Sequence, residues 1–344
     1  MSEIETKAAR TLLPAGPPDA SDPATGGPSD GARGPQHSTA PGGRKPGRPA
    51  MIDGIPYPGI VERILKGIFL TVICALVILP FVGIVSTSLA TPEEVVASGG
   101  FVLIPTQGLD LNAYRTIFTG GVVTQALFVS GFITIVGTAM ALSLTCLLGW
   151  ALSRRGTLGN RFLLLTVLIS LLFNPGMIPT YLVVQQFGLL ETLWSVIVPV
   201  SVSAFNVIVV RAFFINIPSE VIDSAMIDGA SEWQLFWHIG LPLSKAVLAV
   251  IGLFYGVGYW NAFFSAMLYI GDATKWPLQL VLRTYVINGV PMGAQDLGFT
   301  TEALPPQTSI QMAILVISVV PILCVYPFLQ RHFAKGVLTG AVKG

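Results

Sequence analysis

A polar segment between two long apolar stretches contains the residues whose types and spacing are most informative. Seven of them form a spaced motif, with three residues before its glycine and nine after it: Asp223, Ser224, Ala225, Gly229, Ile239, Leu241 and Pro242. A carboxylate beside small residues lacks the nucleophile, base or metal set that catalysis needs. The same residue types suit a helix that fits closely against a partner, so the chemistry that this segment predicts is docking.

The segment 218–238 is predicted to fold as a helix, a break and a second helix. Pro218 suits a first-turn position, where its missing N–H costs nothing. Gly229 falls where a left-handed residue ends a helix. Ser231, with Gln234 three residues later, matches a capping box that would start the next helix. The motif residues would therefore be displayed on two short helices.

Bulky residues give the second of these helices an apolar side: Trp233, Phe236, Trp237 and Ile239. One alternative is an amphipathic helix that lies on the inner leaflet, with its tryptophans at the membrane interface. The full spacing through Gly229 and Pro242 favours docking against a partner over that alternative.

Amide and aromatic side chains within the apolar stretches could line a path for a sugar. Amides pair with hydroxyl groups, and flat rings pack against the less polar faces of pyranose rings. The candidates of these types are Asn174, Tyr181, Gln185, Asn206, Tyr259, Trp260 and Asn261. For each of them the alternative is a hydrogen bond between helices or a place in an interfacial aromatic belt.

The third apolar stretch carries a sequence that should interrupt a helix. Asn174-Pro175-Gly176 is followed closely by Pro179, and proline removes a backbone donor. Such breaks are tolerated where they are buried in protein or line a cavity, and transport sites often use them. A structural kink packed against neighbouring spans is the alternative.

The composition places these elements in a membrane. Hydrophobic residues make up 52% of the chain and charged residues 11%, whereas average proteins carry about 25% charged residues. A span needs about 20 apolar residues, and six stretches qualify: roughly 65–90, 123–152, 161–184, 193–216, 243–270 and 308–330. The predicted fold class is an all-α membrane protein with six transmembrane helices and docking helices between spans four and five.

The charges predict how the chain is oriented. Residues 1–55 are rich in Pro, Gly, Ser and Ala and are predicted to be a disordered tail, which leaves 56–344 as the six-span domain. Excess Lys and Arg mark the cytoplasmic side. Besides those of the tail, the inside cations are Arg63, Lys66, Arg154, Arg155, Arg161, Lys245, Arg331, Lys335 and Lys343, whereas the outside loops hold Arg115, Lys275 and Arg283. Both termini and the motif segment are therefore expected on the cytoplasmic side of a bacterial cell membrane.

Several classes of function lack the residues that they require. No Gly-x-x-x-x-Gly-Lys-Ser/Thr phosphate loop occurs in the sequence, so this chain is not expected to bind ATP or another cofactor itself. The histidines His37, His238 and His332 form no metal or catalytic set. No carboxylate or lysine lies deep in a predicted span, which disfavours a proton- or sodium-coupled carrier. We therefore expect neither a metal site nor enzyme activity.

The spaced motif resembles the EAA loop of ABC importer permeases, whose pattern is Glu-Ala-Ala, three residues, Gly, nine residues, Ile, one residue and Leu-Pro. Asp223 and Ser224 depart from that pattern. The similarity to maltose-type permeases covers about 60–344 and is closest to the branch for complex oligosaccharides that uses lipoprotein binding proteins. The segments that carry it are FNPGMIPTYLVVQQFGLLETLW (173–194), PSEVIDSAMIDGASEWQLFWHIGLPLSKAVLAV (218–250), LFYGVGYWNAFFSAMLYI (253–270), WPLQLVLR (276–283) and YPFLQRHFAKGVLTGAVKG (326–344).

The resemblance implies a MetI-like permease fold, with the seven motif residues as the ATPase-coupling site. It implies passage of an oligosaccharide or related glycoside, with ATP bound by partner subunits. The implied partners are a second homologous permease, two ABC ATPase subunits and an extracellular solute-binding lipoprotein. Two alternatives stay open: an ABC permease for a non-sugar solute such as a peptide or opine, and an ATP-independent secondary carrier or channel.

Overall fold

The computed structural model describes residues 51–52, 55–56, 59–119, 121–154, 156, 159–293, 296–297 and 305–341. The predicted tail, 1–55, lies outside these residues except at its end, where β1 (Met51–Ile52) pairs antiparallel with β2 (Ile55–Pro56). The chain divides into two units, Met1–Arg63 and Ile64–Gly344. The predicted functional residues all belong to the second unit.

Helices make up about three quarters of the described structure. The first eight are α1 (Ile60–Leu89), α2 (Pro92–Ala97), α3 (Asn112–Phe118), α4 (Val122–Ser153), α5 (Asn160–Leu172), α6 (Met177–Gln186), α7 (Trp194–Ile197) and α8 (Ala204–Ile215). The others are α9 (Ser219–Ile227), α10 (Glu232–Leu235), α11 (Leu241–Leu243), α12 (Lys245–Trp260), α13 (Phe264–Tyr269), α14 (Leu278–Leu282) and α15 (Gln307–Ala341). Short 3-10 turns occupy Val198–Val200 and Ala273–Lys275, and π-helical turns occupy Phe236–Gly240 and Arg283–Ile287.

Three helices are long and apolar enough to cross a membrane: α1, α4 and the Gln307–Pro327 part of α15. Two further pairs would qualify if each is one bent span. Trp194–Val200 meets Ala204–Ile215 at 51°, and Glu232–Leu243 meets Lys245–Trp260 at 82°. The described helices thus give three to five candidate spans, and the count of six stays a prediction.

The third predicted stretch, 161–184, is two helices rather than one. α5 ends at Leu172 and α6 begins at Met177. Between them the Asn174 side-chain oxygen accepts a hydrogen bond from the Gly176 N–H at 3.0 Å, and Gly176 has a φ of +86°. Pro179 does not interrupt α6, because it lies in the first turn, where no helical partner is lost.

Helix α4 lies at the centre of the second unit and packs against α8 and α12. Small residues allow the close approach: a Cβ on Gly137 would come within 2.8 Å of the Tyr259 ring. A buried hydroxyl ties three elements together, since Tyr255 Oη lies 2.7 Å from Thr145 Oγ1 and accepts a hydrogen bond from the Ser203 N–H at 3.0 Å. The core is therefore fixed by polar bonds as well as by apolar contact.

Helix α1 is much less buried than the other two long helices. In its most apolar stretch of 18 residues only 6% of the residues are buried, compared with 22% in the corresponding stretch of α4. Its buried residues, Gly83 and 86–88, are confined to its last two turns. Most of its apolar surface is therefore available to lipid or to another chain.

A carboxylate joins the turn after α6 to the segment after α13. Glu191 has a left-handed φ of 61°, which costs an L-residue about 1–2 kcal/mol. Its carboxylate accepts the Gly271 N–H at 2.9 and 3.0 Å and the Asp272 N–H at 3.3 Å. The Lys275 ammonium donates to the Glu191 carbonyl at 3.0 Å. These bonds hold the strained residue in place.

Candidate functional site

The predicted helix, break and second helix are all present in the motif segment. Helix α9 runs from Ser219 to Ile227, and its N-cap is Pro218 with an extended ψ of 132°. Pro218 was predicted to lie within the first turn. It instead precedes the first helical residue, because its ψ directs the chain away from helical geometry.

Gly229 ends α9 in the predicted left-handed conformation, with a φ of 85°. Its N–H donates to the Met226 carbonyl at 3.1 Å, and the Ala230 N–H donates to the Ala225 carbonyl at 2.9 Å. These two bonds define a Schellman ending, which satisfies carbonyls that the helix would otherwise leave open. The chain consequently reverses at the residue that the motif spacing singled out.

The capping box at the start of α10 is also confirmed. The Ser231 hydroxyl accepts the Gln234 N–H at 3.4 Å, and the Gln234 side-chain oxygen accepts the Ser231 N–H at 2.7 Å. Helix α10 then continues through the π-helical turn and α11 to Ser244. The second predicted helix is thus a short composite helix with a wide turn at its centre.

An aromatic cluster fastens this composite helix to the ends of α4 and α8. Phe236 is buried, and its ring centroid lies 5.8 Å from that of Trp150 and 6.5 Å from that of Phe214. Trp150 and Phe214 meet edge to face at 5.3 Å. Gly240 allows the approach, because a Cβ there would come within 2.6 Å of Trp150 Cζ3. The loop is therefore packed directly onto two apolar helices.

The predicted apolar side of the second helix is divided between two environments. Phe236 is 3% exposed, whereas Trp233 and Trp237 are 59% and 52% exposed. Their rings flank Phe236 at 5.6 and 5.7 Å. Ile239 is half-buried and packs against the core. The two tryptophans are thus presented outward as an exposed aromatic surface.

A salt bridge that the sequence did not reveal adds a polar contact to this attachment. The Arg154 guanidinium lies 2.9 Å from the Glu232 carboxylate and its Cζ lies 5.2 Å from the centre of the Trp150 ring. From the sequence, Arg154 is only one of the charges that mark the cytoplasmic side. The two charged residues are 78 positions apart, so no local pattern connects them.

The motif residues separate into an outward and an inward group. Asp223, Ser224 and Gly229 are exposed. Ile239 and Leu241 pack against the core cluster. Ala225 is half-buried, and Pro242 is exposed at the end of the unit.

Between α9 and the second helix lies a recess of about 420 Å³ lined by Ala225, Asp228, Gly229, Ala230, Gln234, Leu235, His238 and Ile239. This arrangement presents small and acidic groups beside a recess that can receive a partner's side chain.

Three of the predicted substrate-path residues are buried between helices. The Tyr259 hydroxyl donates to the Ile197 carbonyl at 3.0 Å, and the Trp260 indole N–H donates to the Ser318 carbonyl at 3.0 Å. Asn206 is buried in the first turn of α8. In this conformation the polar atoms of Tyr259 and Trp260 already bond to the protein, and their contact with substrate stays a prediction.

The other four are more accessible. Asn174 and Gln185 are exposed. Tyr181 is half-buried and stacks on Tyr269, with ring centroids 6.1 Å apart. Asn261 follows α12 and lines a cavity whose other polar residues, on α14 and the π-turn after it, were not selected from the sequence. The structure thus does not gather the seven candidates at one place among the described residues.

Fold and loop together define a membrane permease, and comparison with known proteins gives its family. A family model described as "Binding-protein-dependent transport system inner membrane component" matches residues 141–339. This match covers more than half of the chain, which therefore belongs to that family.

Two curated relatives from Bacillus subtilis (strain 168) match almost their whole length. The "Polygalacturonan/rhamnogalacturonan transport system permease protein YtcP" is 45% identical over 80% of this chain and 96% of its own. "Protein LplC" is 47% identical over 83% of this chain and 96% of its own. A crystal structure of a bacterial ABC transporter "involved in the import of the acidic polysaccharide alginate" matches with a TM-score of 0.73 and 26% identity, over 81% of this chain and 99% of that one.

These comparisons confirm the resemblance and the fold class. The chain is an all-α, multi-pass membrane protein with the MetI-like permease fold, and it serves a binding-protein-dependent ABC transport system. Members of this family are transport subunits, so the prediction that the chain is not an enzyme is confirmed as well.

Proposed function

We propose that this chain is the membrane subunit of an ATP-driven importer that passes an oligosaccharide or related glycoside into the cytoplasm. The observation that carries the proposal is the loop 218–242, which is fastened to two apolar helices on one side and exposed on the other. The sugar class is supported by relatives whose names refer to polygalacturonan, rhamnogalacturonan and alginate.

The partners that we propose are two ABC ATPase subunits, a second homologous permease and an extracellular solute-binding lipoprotein. The ATPase is supported by the exposed face of the loop, where Asp223 and the recess beside Gly229 are open to a partner. A second permease is supported by α1, whose apolar side is largely uncovered. ATP binds to the partner subunits in this proposal, so the chain itself needs no cofactor.

The proposed topology has six spans with both termini in the cytoplasm of a bacterial cell. It is supported by the excess of Lys and Arg on the side of the loop. In this orientation the loop faces the ATPases, and the opposite end of α12 faces the binding protein.

Movement of the ATPases would reach the spans through the aromatic cluster. The Asp223 carboxylate would pair with a cation or a backbone donor on the ATPase. Displacement of the loop would then push through Phe236 against Trp150 on α4 and Phe214 on α8, which contact it directly. The resulting movement of α4 and α8 would open the path, in which the seven amide and aromatic candidates remain our proposal for substrate contacts.

Purification of the tagged chain from its native membrane, with and without Gly229→Asp, tests this function. A side chain at Gly229 would meet no atom within 4 Å, but it would adopt a left-handed φ of +85°, which costs an L-residue about 1–2 kcal/mol. The strain is small enough for the variant to insert and fold. Its carboxylate would project into the docking face and release the ATPase. Gly188→Asp is the matched control, because Gly188 also has a positive φ and open space but lies after α6.

Wild type and the Gly188 variant should retain a phosphate-loop ATPase and a second permease, and both should support uptake. The Gly229 variant should retain the permease, lose the ATPase and lose uptake. Normal uptake by a correctly inserted Gly229→Asp variant would refute the docking role. Transport by the chain alone, without ATP, would instead establish the carrier or channel alternative.

A further inference from the structure

A cavity of about 250 Å³ lies at the end of α12 that is remote from the docking loop. Its lining combines two amides and a guanidinium with apolar side chains: Asn261, Phe263, Gln279, Leu282, Arg283 and Ile287. Helix α12 has 16 residues, so its two ends are about 24 Å apart. The cavity is thus most of a bilayer's apolar thickness away from the ATPase-facing loop, on the side where an imported solute would arrive.

The guanidinium in this cavity is held in place without being neutralised. Arg283 Cζ lies 5.0 Å from the centre of the Phe263 ring, and such a contact fixes the guanidinium plane while leaving its N–H groups open. Across the described residues, the Arg283 side chain has no hydrogen bond or ion pair. None of the described residues that line the cavity is acidic.

The neighbouring amides complete a polar rim. Gln279 is four positions before Arg283, so the two side chains share a helix face. In the described part of the chain the Gln279 amide has no hydrogen-bond partner either. The Asn261 amide nitrogen donates to the Val257 carbonyl at 2.9 Å, which directs its oxygen away from α12. The turn that begins at Arg283 is π-helical, a geometry often found at functional sites.

We propose that this cavity is a subsite for an acidic sugar residue, with Arg283 binding its carboxylate. A guanidinium fork matches a carboxylate through two parallel hydrogen bonds. The two amides pair with ring hydroxyls, and Phe263 supplies an apolar wall. A neutral sugar would leave the cation unpaired in a partly dry site. The imported oligosaccharide is therefore a uronate-containing one, an inference that rests on the importer function proposed above.

Uptake by cells that carry the complete transporter, with this chain as the only variable, tests the subsite. The probes are labelled trigalacturonate and the same trisaccharide with its carboxyl groups reduced to alcohols. Arg283→Gln should lower uptake of the acidic probe at subsaturating concentration by about tenfold or more, the loss expected for a charge-assisted pair. Uptake of the neutral probe should change by less than about twofold.

Two further variants separate charge from shape. Gln279→Glu places a carboxylate one helical turn from Arg283, so it should compete for the guanidinium and lower uptake of the acidic probe more than uptake of the neutral probe. Arg115→Gln removes an exposed cation from α3, which lies in the other predicted outer segment. This variant should leave uptake of both probes unchanged. Co-purification with the ATPase should be normal in every variant.

Five results would overturn the inference. Equal losses of both probes in Arg283→Gln would make the residue structural, and unchanged uptake of both would remove it from the path. Unchanged uptake with loss of a bound anionic phospholipid, measured by mass spectrometry, would assign the cation to a lipid headgroup. Import of the neutral probe alone by wild type would overturn the acidic subsite but leave the importer intact. If neither probe entered while the ATPase still bound, the sugar class itself would fail.

Discussion

Replacing Gly240 with alanine should separate the docking loop from α4. The Cβ of the alanine would lie 2.6 Å from Trp150 Cζ3 and 3.0 Å from Cε3, well inside carbon–carbon contact distance. The indole has little room to withdraw, because Phe214 and Phe236 pack against it at 5.3 and 5.8 Å.

The size of the effect follows from two opposing contributions. Overpacking of a well-packed site costs about 1–3 kcal/mol, and an overlap with a confined ring belongs near the upper end. Alanine gains up to about 1 kcal/mol over glycine from its higher helix propensity. We therefore expect a net loss of about 1–2 kcal/mol in the free energy of unfolding. Uptake should fall as well, because the loop would no longer pack against α4 in its native position.

Thermal unfolding of the purified chain in detergent, together with uptake in cells, measures both effects. Gly252→Ala is the control, since its Cβ would lie 3.6 Å from Leu142, an ordinary contact. Trp150→Phe removes the overlapping ring atoms, so the double variant Gly240→Ala/Trp150→Phe should be more stable than the sum of the single changes by about 1 kcal/mol. Additive effects, or a Gly240→Ala variant as stable as the control, would refute the reasoning.

Two other substitutions test bonds within the second unit, both by thermal unfolding. Tyr255→Phe deprives Thr145 and the Ser203 N–H of a buried partner and should cost about 1–3 kcal/mol; no loss would mean that water replaces the hydroxyl. Glu191→Ala loses the bonds to the Gly271 N–H yet keeps the strained φ. It should therefore be less stable than Glu191→Gly by about 1 kcal/mol, and the reverse order would show that the strain is absent.

The sequence predicted the docking loop well because its geometry is local. The Schellman ending at Gly229 and the capping box at Ser231 each depend on residues within six positions of one another, and their hydrogen bonds form as the motif indicates. The break after Asn174 is local in the same way, since a proline and a glycine terminate α5 wherever it packs.

Contacts between distant segments could not be predicted in this way. The pairing of Arg154 with Glu232 and the burial of Phe236 between exposed tryptophans arise only when α4 reaches the loop. The cavity around Arg283 was missed for the same reason, because its walls come from the end of α12 and from the segment after Pro277. Hydropathy also predicted continuous spans where the structure has interrupted ones, because it depends on apolar content and does not detect helix breaks.

The Gly240–Trp150 contact has a mechanical consequence for transport. A backbone that touches a confined aromatic ring forms a rigid contact, unlike a contact made by long flexible side chains. A small displacement of the loop is therefore transmitted in full to α4. The changes in backbone conformation that transport requires must then occur elsewhere in the molecule. The four-residue interruption 173–176 and the 51° bend before α8 are two described places, away from the loop itself, where the backbone hydrogen bonds of a span are already interrupted. We expect these two places to absorb the rotation when the loop and the helices packed against it move.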